Sequence, residues 1–259
     1  MKNILLLLIG TLCLTSCKPK PEAAPVEIGN TLTIESTLSN GGQVQGSLNT
    51  MGFFVEPSYA GTLKQNGRFT LNLPDNFDTV TQEAFNTYNK EDSAAYKLQM
   101  NTVNELFTNL DGLDTTGISN PIALAGTYYG FQVFENGQRN GAIYPTSSPA
   151  FMTYILEQQR EGAVAGYYYF FVYASAAAQI KGITSFNEYL DNDSDKTFKY
   201  LEEHDIVLNP GWNIVKYEIL KAIETSYGTT IPAYVKKSSV NKLDGNTLWF
   251  HITGTSQAL

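Results

Sequence analysis

Four acidic residues between positions 191 and 202 have the spacing of a calcium-binding loop. Asp191, Asp193 and Asp195 fall at positions 1, 3 and 5, and Glu202 falls at position 12, where carboxylate oxygens can surround a hard cation. Position 6, which needs glycine for a sharp turn, is Lys196. We therefore predict a solvated acidic loop and no metal site, and keep a calcium-stabilised adhesive module as an alternative.

Histidine chemistry has little support in the sequence. The two histidines, His204 and His251, have no partner at the spacing of a zinc motif. Glu203 and His204 combine an acid with a base, as proton transfer requires. Adjacent residues of a strand point to opposite faces, however, so we expect both histidines to be structural.

Nucleophile and cofactor motifs are also missing. Ser239 and Lys242 have an S-x-x-K spacing, but the companion motifs that give it meaning do not occur. No nucleophile elbow and no glycine-rich phosphate loop is present, so we predict no cofactor and no catalytic residue. With 25 acidic residues in the chain, a pair of carboxylates acting on glycan or another envelope substrate remains the enzymatic alternative.

Tyrosines offer the best support for binding. The chain has 16 of them, and each combines a large apolar ring with a polar tip. Five could line a groove for sugar or peptide: Tyr128, Tyr129, Tyr144, Tyr217 and Tyr234. The alternative, which we favour, is that they are half-buried strand residues, because strands are enriched in aromatic residues.

The N-terminus has the three parts of an export signal. Lys2 precedes the apolar run from Ile4 to Leu12, and Leu14-Thr15-Ser16-Cys17 follows. This order resembles a bacterial lipoprotein signal, which implies that residues 1–17 are a signal peptide and that Cys17 carries palmitate and other acyl chains. Lys18, where aspartate favours inner-membrane retention in enteric bacteria, implies the outer membrane. We expect membrane lipid to be a partner through this anchor.

The part after the signal is acidic and has no cysteine. It holds 16 basic and 25 acidic residues, a net charge of −9, which argues against nucleic acid as a partner. Both cysteines, Cys13 and Cys17, lie in the signal region. The remaining chain therefore has no disulfide, thiol nucleophile or Cys-ligated metal. Residues 18–29 contain three prolines and predict a flexible tether.

Residues 30–259 predict a single domain, with a possible boundary near 75–115. Asn66-Gly67 lies between alternating runs and predicts a two-residue hairpin turn with positive φ at both residues. Phe69, Leu71 and Leu73 should then face one core. This hairpin resembles the closing hairpin of β-sandwich modules related to transthyretin. Helical spacing predicts one or two helices within 79–111, with Thr79 and Gln82 as a capping box.

The second half predicts further strands. Residues 125–134 read as one strand, and 162–180 contain no charge and hold an aromatic run typical of a central strand that is covered on both faces. Residues 191–203 read as a polar loop, and Asn209-Pro210-Gly211 and Asp244-Gly245 read as turns. The order of aromatic strand, Asn-Pro-Gly turn and strand is similar to that of uncharacterised secreted bacterial lipoproteins.

Together these features predict a mainly β fold, an antiparallel sandwich with a helical segment. We expect a lipid-anchored envelope protein with a binding or structural role rather than an enzyme. Its partner would be a glycan, a peptide or another envelope protein.

Overall fold

The computed structural model describes residues 32–40, 44–50, 59–90, 97–108, 117–157, 162–191 and 193–253. Of these residues 59% lie in strands and 14% in helices, so the mainly β prediction is confirmed. The strands are β1 Leu32–Thr37, β2 Gly46–Thr50, β3 Tyr59–Leu63, β4 Arg68–Leu73, β5 Asn101–Thr102, β6 Ile118–Ser119, β7 Leu124–Tyr128, β8 Phe131–Glu135, β9 Gln138–Thr146, β10 Gly166–Ala174, β11 Ala178–Leu190, β12 Asp193–Leu208, β13 Gly211–Glu224, β14 Thr230–Val240 and β15 Leu248–Ile252. The helices are α1 Phe77–Tyr88, α2 Val103–Thr108 and α3 Pro149–Leu156.

Within the described residues, the strands form one large, open and mostly antiparallel sheet. Its main path runs β1-β4-β3-β2-β8-β9-β10-β13-β14-β12-β11-β6, with β15 paired to β9, and β7 paired to both β10 and β5. The pairing of β12 with β14 is parallel. It aligns Leu201 to Asp205 of β12 with Tyr234 to Ser238 of β14.

Strand β10 lies in the middle of this sheet and is buried on both faces, as predicted. Its side chains alternate between two hydrophobic cores. Tyr168, Phe170 and Val172 join a core that α2 and α3 cover, which we call the helix-covered core. Tyr169 and Phe171 join the N-terminal core, which contains the side chains of β3 and β4. An uncharged aromatic run is required here because neither face of the strand meets water.

The β3–β4 hairpin is confirmed, but its predicted turn type is wrong. Phe69, Leu71 and Leu73 are buried in the N-terminal core. Gly67 has a φ of 79°, whereas Asn66 is not among the residues with positive φ, and the Gly67 N–H donates to the Lys64 carbonyl oxygen at 2.8 Å. This is a three-residue loop that ends in a left-handed glycine.

The two-residue turn occurs instead between β8 and β9. Asn136 and Gly137 have φ values of 51° and 78°, and the flanking residues Glu135 and Gln138 are paired across the hairpin. Both central residues have positive φ there, as the right-handed twist of the strands requires.

The predicted polar loop at 191–203 is also wrong. β11 and β12 form a long antiparallel hairpin that closes at Leu190 and Asp193. Asp191 accepts hydrogen bonds from the Ser226 backbone N–H at 3.1 Å and from the Ser226 hydroxyl at 2.6 Å, so its carboxylate holds the turn between β13 and β14. The turns at Asn209-Pro210-Gly211 and Asp244-Gly245 are confirmed, since β13 and β15 follow them.

Two smaller predictions change as well. The helical segment begins at Phe77, before the predicted capping box, and its N-cap residue Asn76 makes no side-chain capping bond. The strand predicted over 125–134 is interrupted at Tyr129 and Gly130, where the chain leaves β10 and joins β2 and β9. A side chain at Gly130 would strike the Tyr144 ring, so the chain can make this change of partner only with glycine at that position.

Candidate ligand-binding site

A row of polar and aromatic side chains crosses four neighbouring strands on one face of the sheet. His204 of β12 is in register with Lys237 of β14, Lys237 with Tyr217 of β13, and Tyr217 with Tyr168 of β10. Neighbours in register point to the same face and lie about 4.8 Å apart from strand to strand. The four residues therefore form a continuous row, and the face is that of the helix-covered core.

One end of this row opens into a pocket beneath α2. Its volume is about 140 Å³. We call it the tyrosine pocket, and it is lined by Leu106, Phe107, Thr127, Tyr129, Tyr168, Phe170, Tyr217 and Lys237. Three of its walls are tyrosine rings, and Lys237 is the charged residue among the lining residues that the structure describes.

The volume of the pocket limits what it can hold. A cavity of about 150 Å³ accommodates one benzene molecule, whereas pockets for drug-sized ligands measure roughly 300–1,000 Å³. The tyrosine pocket therefore fits a single six-membered ring or a group of similar size. A whole nucleotide or haem would not fit within it.

The rings of the pocket are arranged for contact with a flat ligand. Tyr168 and Tyr217 have ring centroids 5.2 Å apart, and the Tyr129 ring lies 5.3 Å from that of Phe170. Tyrosine rings contribute apolar area at their faces and hydrogen-bonding groups at their tips. The pocket consequently offers apolar walls with hydroxyl groups at their edges.

The phenols of the pocket remain neutral at ordinary pH. Burial raises the pKa of Tyr129, Tyr168 and Tyr217. Neighbouring phenols add to this effect, since Tyr200 and Tyr154 raise the pKa of Tyr217 further. A phenol that stays protonated donates and accepts hydrogen bonds but does not act as a base. The tyrosines are therefore suited to binding rather than to proton abstraction.

A charged cluster neutralises the lysine of the pocket. The Lys237 Nζ atom lies 2.6 Å from Oε1 of Glu202, and the His204 Nε2 atom lies 3.3 Å from the same oxygen. Burial alone would raise the pKa of Glu202, but the close contact with His204 and the ion pair with Lys237 outweigh it and lower the pKa to about 2. Glu202 is therefore ionised, and its charge offsets that of Lys237.

His204 is the most enclosed member of the cluster. Its side chain is 1% exposed, and among the described residues neither ring nitrogen has a hydrogen bond of good geometry. The contact of Nε2 with Glu202 is therefore an ion pair only when the imidazole is protonated. Glu203 and His204 point to opposite faces, as expected of adjacent strand residues, and Glu203 binds Lys236 at 2.7 Å. The partner of His204 is two residues away rather than adjacent, as strand alternation requires.

The five tyrosines selected from the sequence are distributed over both faces of the sheet. Tyr129 and Tyr217 line the pocket. Tyr128 is stacked on Trp212 in the N-terminal core, Tyr144 is fully buried, and Tyr234 donates a hydrogen bond to Glu203 on the opposite face. Tyr168 and Lys237 also line the pocket but are not among the residues selected from the sequence. Alternation along β14 could have identified Lys237, because it places this lysine on the same face as Val235 of the helix-covered core.

The calcium-loop spacing does not correspond to a loop. Asp193 and Glu202 lie on one extended strand, so roughly 30 Å separates them at about 3.3 Å per residue. These carboxylates cannot surround one ion, and the geometry required by the calcium alternative is wrong. In the described ranges, no three His, Cys, Asp or Glu side chains are grouped so as to hold a metal ion.

The remaining sequence-based sites have different outcomes. Cys17, the predicted lipid attachment site, lies outside the described residues. His251 is in β15 and contacts the Asn140 carbonyl oxygen, consistent with a structural role. In the part of the chain that the structure describes, no helix has the length and hydropathy needed to cross a membrane.

The Glu202 cluster leads to a prediction about acid stability. Because the folded-state pKa of Glu202 is about 2 and its ordinary value is 4.5, its stabilising contribution is complete above pH 4.5 and is lost as the pH falls towards 2. The Glu202 side chain is only 22% exposed. Its contribution to the free energy of unfolding is on the order of 3 kcal/mol at neutral pH. We expect Glu202→Gln to lower the free energy of unfolding by up to about that amount at pH 7.

Urea unfolding at several pH values measures this difference. The gap between wild type and Glu202→Gln should shrink as the pH is lowered from 5 to 2. Glu224→Gln, at an exposed position at the end of β13, is the matched control and should stay near wild type throughout. A gap that is the same at pH 7 and pH 2 would contradict the assignment of this carboxylate as the ionised partner of Lys237.

Comparisons with protein-family models, with the sequences of characterised proteins and with solved structures find no match to this chain.

Proposed function

We propose that this chain is a binding protein, anchored to the bacterial envelope by lipid, whose tyrosine pocket takes a ring-shaped polar group without transforming it. The observation that carries this proposal is the pocket itself, about 140 Å³ in volume and walled by Tyr129, Tyr168 and Tyr217. Its phenols are neutral and its lysine is paired with Glu202. Such a site supplies apolar contact and hydrogen bonds but no strong net charge.

The anchor is part of the proposal. Its support is the order of Lys2, the apolar run Ile4 to Leu12 and the Leu14-Thr15-Ser16-Cys17 motif. Lipidation at Cys17 would make membrane lipid the first partner, at the outer membrane of the envelope. A net charge of −9 after the signal favours neutral or cationic ligands over nucleic acid.

We also propose that residues 30–259 form one domain in which the sheet packs as an antiparallel β-sandwich with a helical segment. The support is the burial of β10 on both faces and the presence of a hydrophobic core on each of them. A sheet that buries both faces needs a covering layer on each side. Part of the cover on one side is α2 and α3, whose side chains join the helix-covered core.

The hydrolase alternative has weaker support. A carboxylate pair would need two acidic side chains facing a common cleft about 5–10 Å apart. None of the described residues that line the tyrosine pocket is acidic. The nearest carboxylate, that of Glu202, has a lowered pKa, which suits an ion-pair partner and not a general acid.

Ligand-observed NMR on the full chain in detergent micelles tests the binding proposal. The probes are glucose, N-acetylglucosamine, phenol and benzoate, each carrying one six-membered ring. A hexose has about twelve non-hydrogen atoms, and at about 0.3 kcal/mol for each we expect a Kd of roughly 2 mM. Tyr129→Ala should weaken binding about tenfold, since an aromatic contact contributes roughly 0.5–1.5 kcal/mol beyond its buried area.

The matched control is Tyr227→Ala. Tyr227 is 74% exposed and lies in the turn between β13 and β14, away from the tyrosine pocket. Its variant should bind as wild type does. If no probe binds the wild-type protein, or if Tyr129→Ala binds with unchanged affinity, the pocket is not the ligand site and the proposal is wrong.

A further inference from the structure

A second pocket lies on the same face of the sheet. It also measures about 140 Å³, and it is lined by Tyr154, Glu188, Phe198, Tyr200, Ile231 and Pro232. Phe198, Tyr200, Glu202 and His204 are every second residue along β12. Their side chains therefore all point to one side of the sheet. Tyr154 belongs to α3, which packs on this face. The second pocket is therefore open on the same side as the first.

The two pockets are neighbours. Lys237 lines the tyrosine pocket, and its Nζ atom lies 2.6 Å from the Glu202 carboxylate. Tyr200, which lines the second pocket, is two residues before Glu202 on the same side of β12, and Tyr217 is in register with Lys237. Along β12, Glu202 lies between Tyr200 and His204. A strip made of Tyr200, Glu202 and Tyr217 thus connects one pocket to the other.

Aromatic rings occur along the whole length of this surface. From the tyrosine pocket, centroid distances of 5.3, 6.0 and 5.2 Å link Tyr129 to Phe170, Phe170 to Tyr168, and Tyr168 to Tyr217. At the second pocket the Tyr200 ring lies 4.8 Å from that of Phe186 on β11. The surface can therefore contact a ligand longer than one ring, from β7 to β11.

The polar groups that line the two pockets distinguish between apolar aromatic ligands and sugars. Tyrosine and threonine hydroxyls edge the first pocket, and tyrosine hydroxyls edge the second. A purely apolar ring would contact the faces of these tyrosines but would make no hydrogen bond with the hydroxyl groups at their tips. A sugar ring has an apolar face for the tyrosine rings and hydroxyls on its rim for these groups, so it satisfies both.

Charge excludes anionic ligands. Lys237 is already paired with Glu202, and Glu188 is the charged residue among those described at the second pocket. The whole chain carries a net charge of −8, which repels polyanions at long range. Among the described lining residues, neither pocket has a free cation for phosphate or carboxylate, so an anionic ligand does not fit.

We infer that the two pockets are adjacent subsites for one linear, neutral oligosaccharide, with Tyr200, Glu202 and Tyr217 lying beneath the linkage between successive rings. This inference rests on the proposed binding function and specifies its ligand class. Occupation of two subsites by one molecule raises its affinity over that of a single ring, because the second ring binds without a further loss of translational freedom.

Isothermal titration of the full chain in micelles tests the inference. The probes are glucose with maltose, maltotriose, cellobiose and cellotriose, and N-acetylglucosamine with its β-1,4-linked dimer and trimer. In at least one series the dimer or trimer should bind tenfold or more tightly than the monosaccharide. Tyr200→Ala should abolish this gain while the monosaccharide still binds in the tyrosine pocket, whereas Tyr129→Ala should weaken every member of the series.

Phe198→Ala provides a second test at the same subsite if Tyr200→Ala does not fold. Tyr234→Ala, on the opposite face of β14, is the control and should leave the whole series unaffected. If the monosaccharide binds but no chain binds more tightly, the second subsite is wrong while the proposed function stands. If phenol or the peptide Tyr-Gly-Tyr binds and no sugar does, the ligand class is wrong. If no probe binds, the proposed function itself fails.

Discussion

Replacing Trp212 by alanine is expected to lower the free energy of unfolding by about 3–5 kcal/mol, the usual effect of removing a large buried aromatic side chain. Trp212 is 1% exposed and has ring centroids 5.0 Å from Phe77, 5.3 Å from Tyr128 and 5.6 Å from Tyr173. Its indole N–H donates to the Pro74 carbonyl oxygen at 2.8 Å. The alanine variant would lose all three ring contacts and leave that carbonyl oxygen without its donor.

Urea unfolding followed by far-UV circular dichroism measures the change, because removing one of only two tryptophans alters the fluorescence signal directly. Trp212→Phe should lose less than the alanine variant, since it keeps most of the ring packing and gives up the hydrogen bond. Tyr227→Ala, at an exposed aromatic position, should remain within about 0.5 kcal/mol of wild type. A Trp212→Ala variant within 1 kcal/mol of wild type would show that the N-terminal core is not packed as described.

Cys17→Ala is expected to move the whole protein from the membrane fraction to the soluble fraction of the envelope. The reason is that stable anchoring requires two or more acyl chains on the same protein, and the proposed anchor carries its chains on or next to this cysteine. Fractionation of expressing bacterial cells, followed by intact mass spectrometry, measures both the location and the acyl mass.

The sequence contains its own control for this experiment. Cys13 lies four residues earlier within the proposed signal, so Cys13→Ala should leave the protein anchored and with unchanged acyl mass. A Cys17→Ala variant that remains with the membrane would contradict the anchor. So would a wild-type protein that still begins at Met1 and carries no acyl group.

The most local sequence signals predicted the fold best. β10 was predictable because an uncharged aromatic run suits a strand that is covered on both faces. The burial of Phe69, Leu71 and Leu73 followed from strict alternation in β4. Both predictions depend only on neighbouring residues, and neither needs knowledge of which strand lies beside which.

Failures occurred where polar strands lacked such signals. The charged residues Asp193, Asp195 and Lys196 indicate a loop over 191–203, whereas β12 begins at Asp193. Asp195 and Lys196 point to opposite faces and are both exposed, so charges are tolerated on either face there, and pairing with β11 over the length of the hairpin supplies the stability that the composition does not indicate. The turn at Asn66-Gly67 failed for a related reason, since loop length is set by the register of the paired strands and not by the dipeptide alone.

The candidate site could not be predicted from the sequence because it depends on long-range register. Tyr168, Tyr217, Lys237 and His204 come from four strands, and their order in space differs from their order in the chain. The parallel pairing of β12 with β14 brings His204 next to Lys237, 33 positions later in the sequence. The residue type could be predicted, because two of the five tyrosines selected from the sequence, Tyr129 and Tyr217, line the pocket.

A crystal structure of the full chain soaked separately with glucose, N-acetylglucosamine and phenol tests the central claim most directly. The account predicts density for at least one of these rings inside the tyrosine pocket, against Tyr129 and Tyr217 and within hydrogen-bonding distance of a phenol hydroxyl or Lys237. Crystals in which the pocket stays empty at saturating concentrations of every probe, or in which the rings bind only elsewhere on the surface, would contradict it.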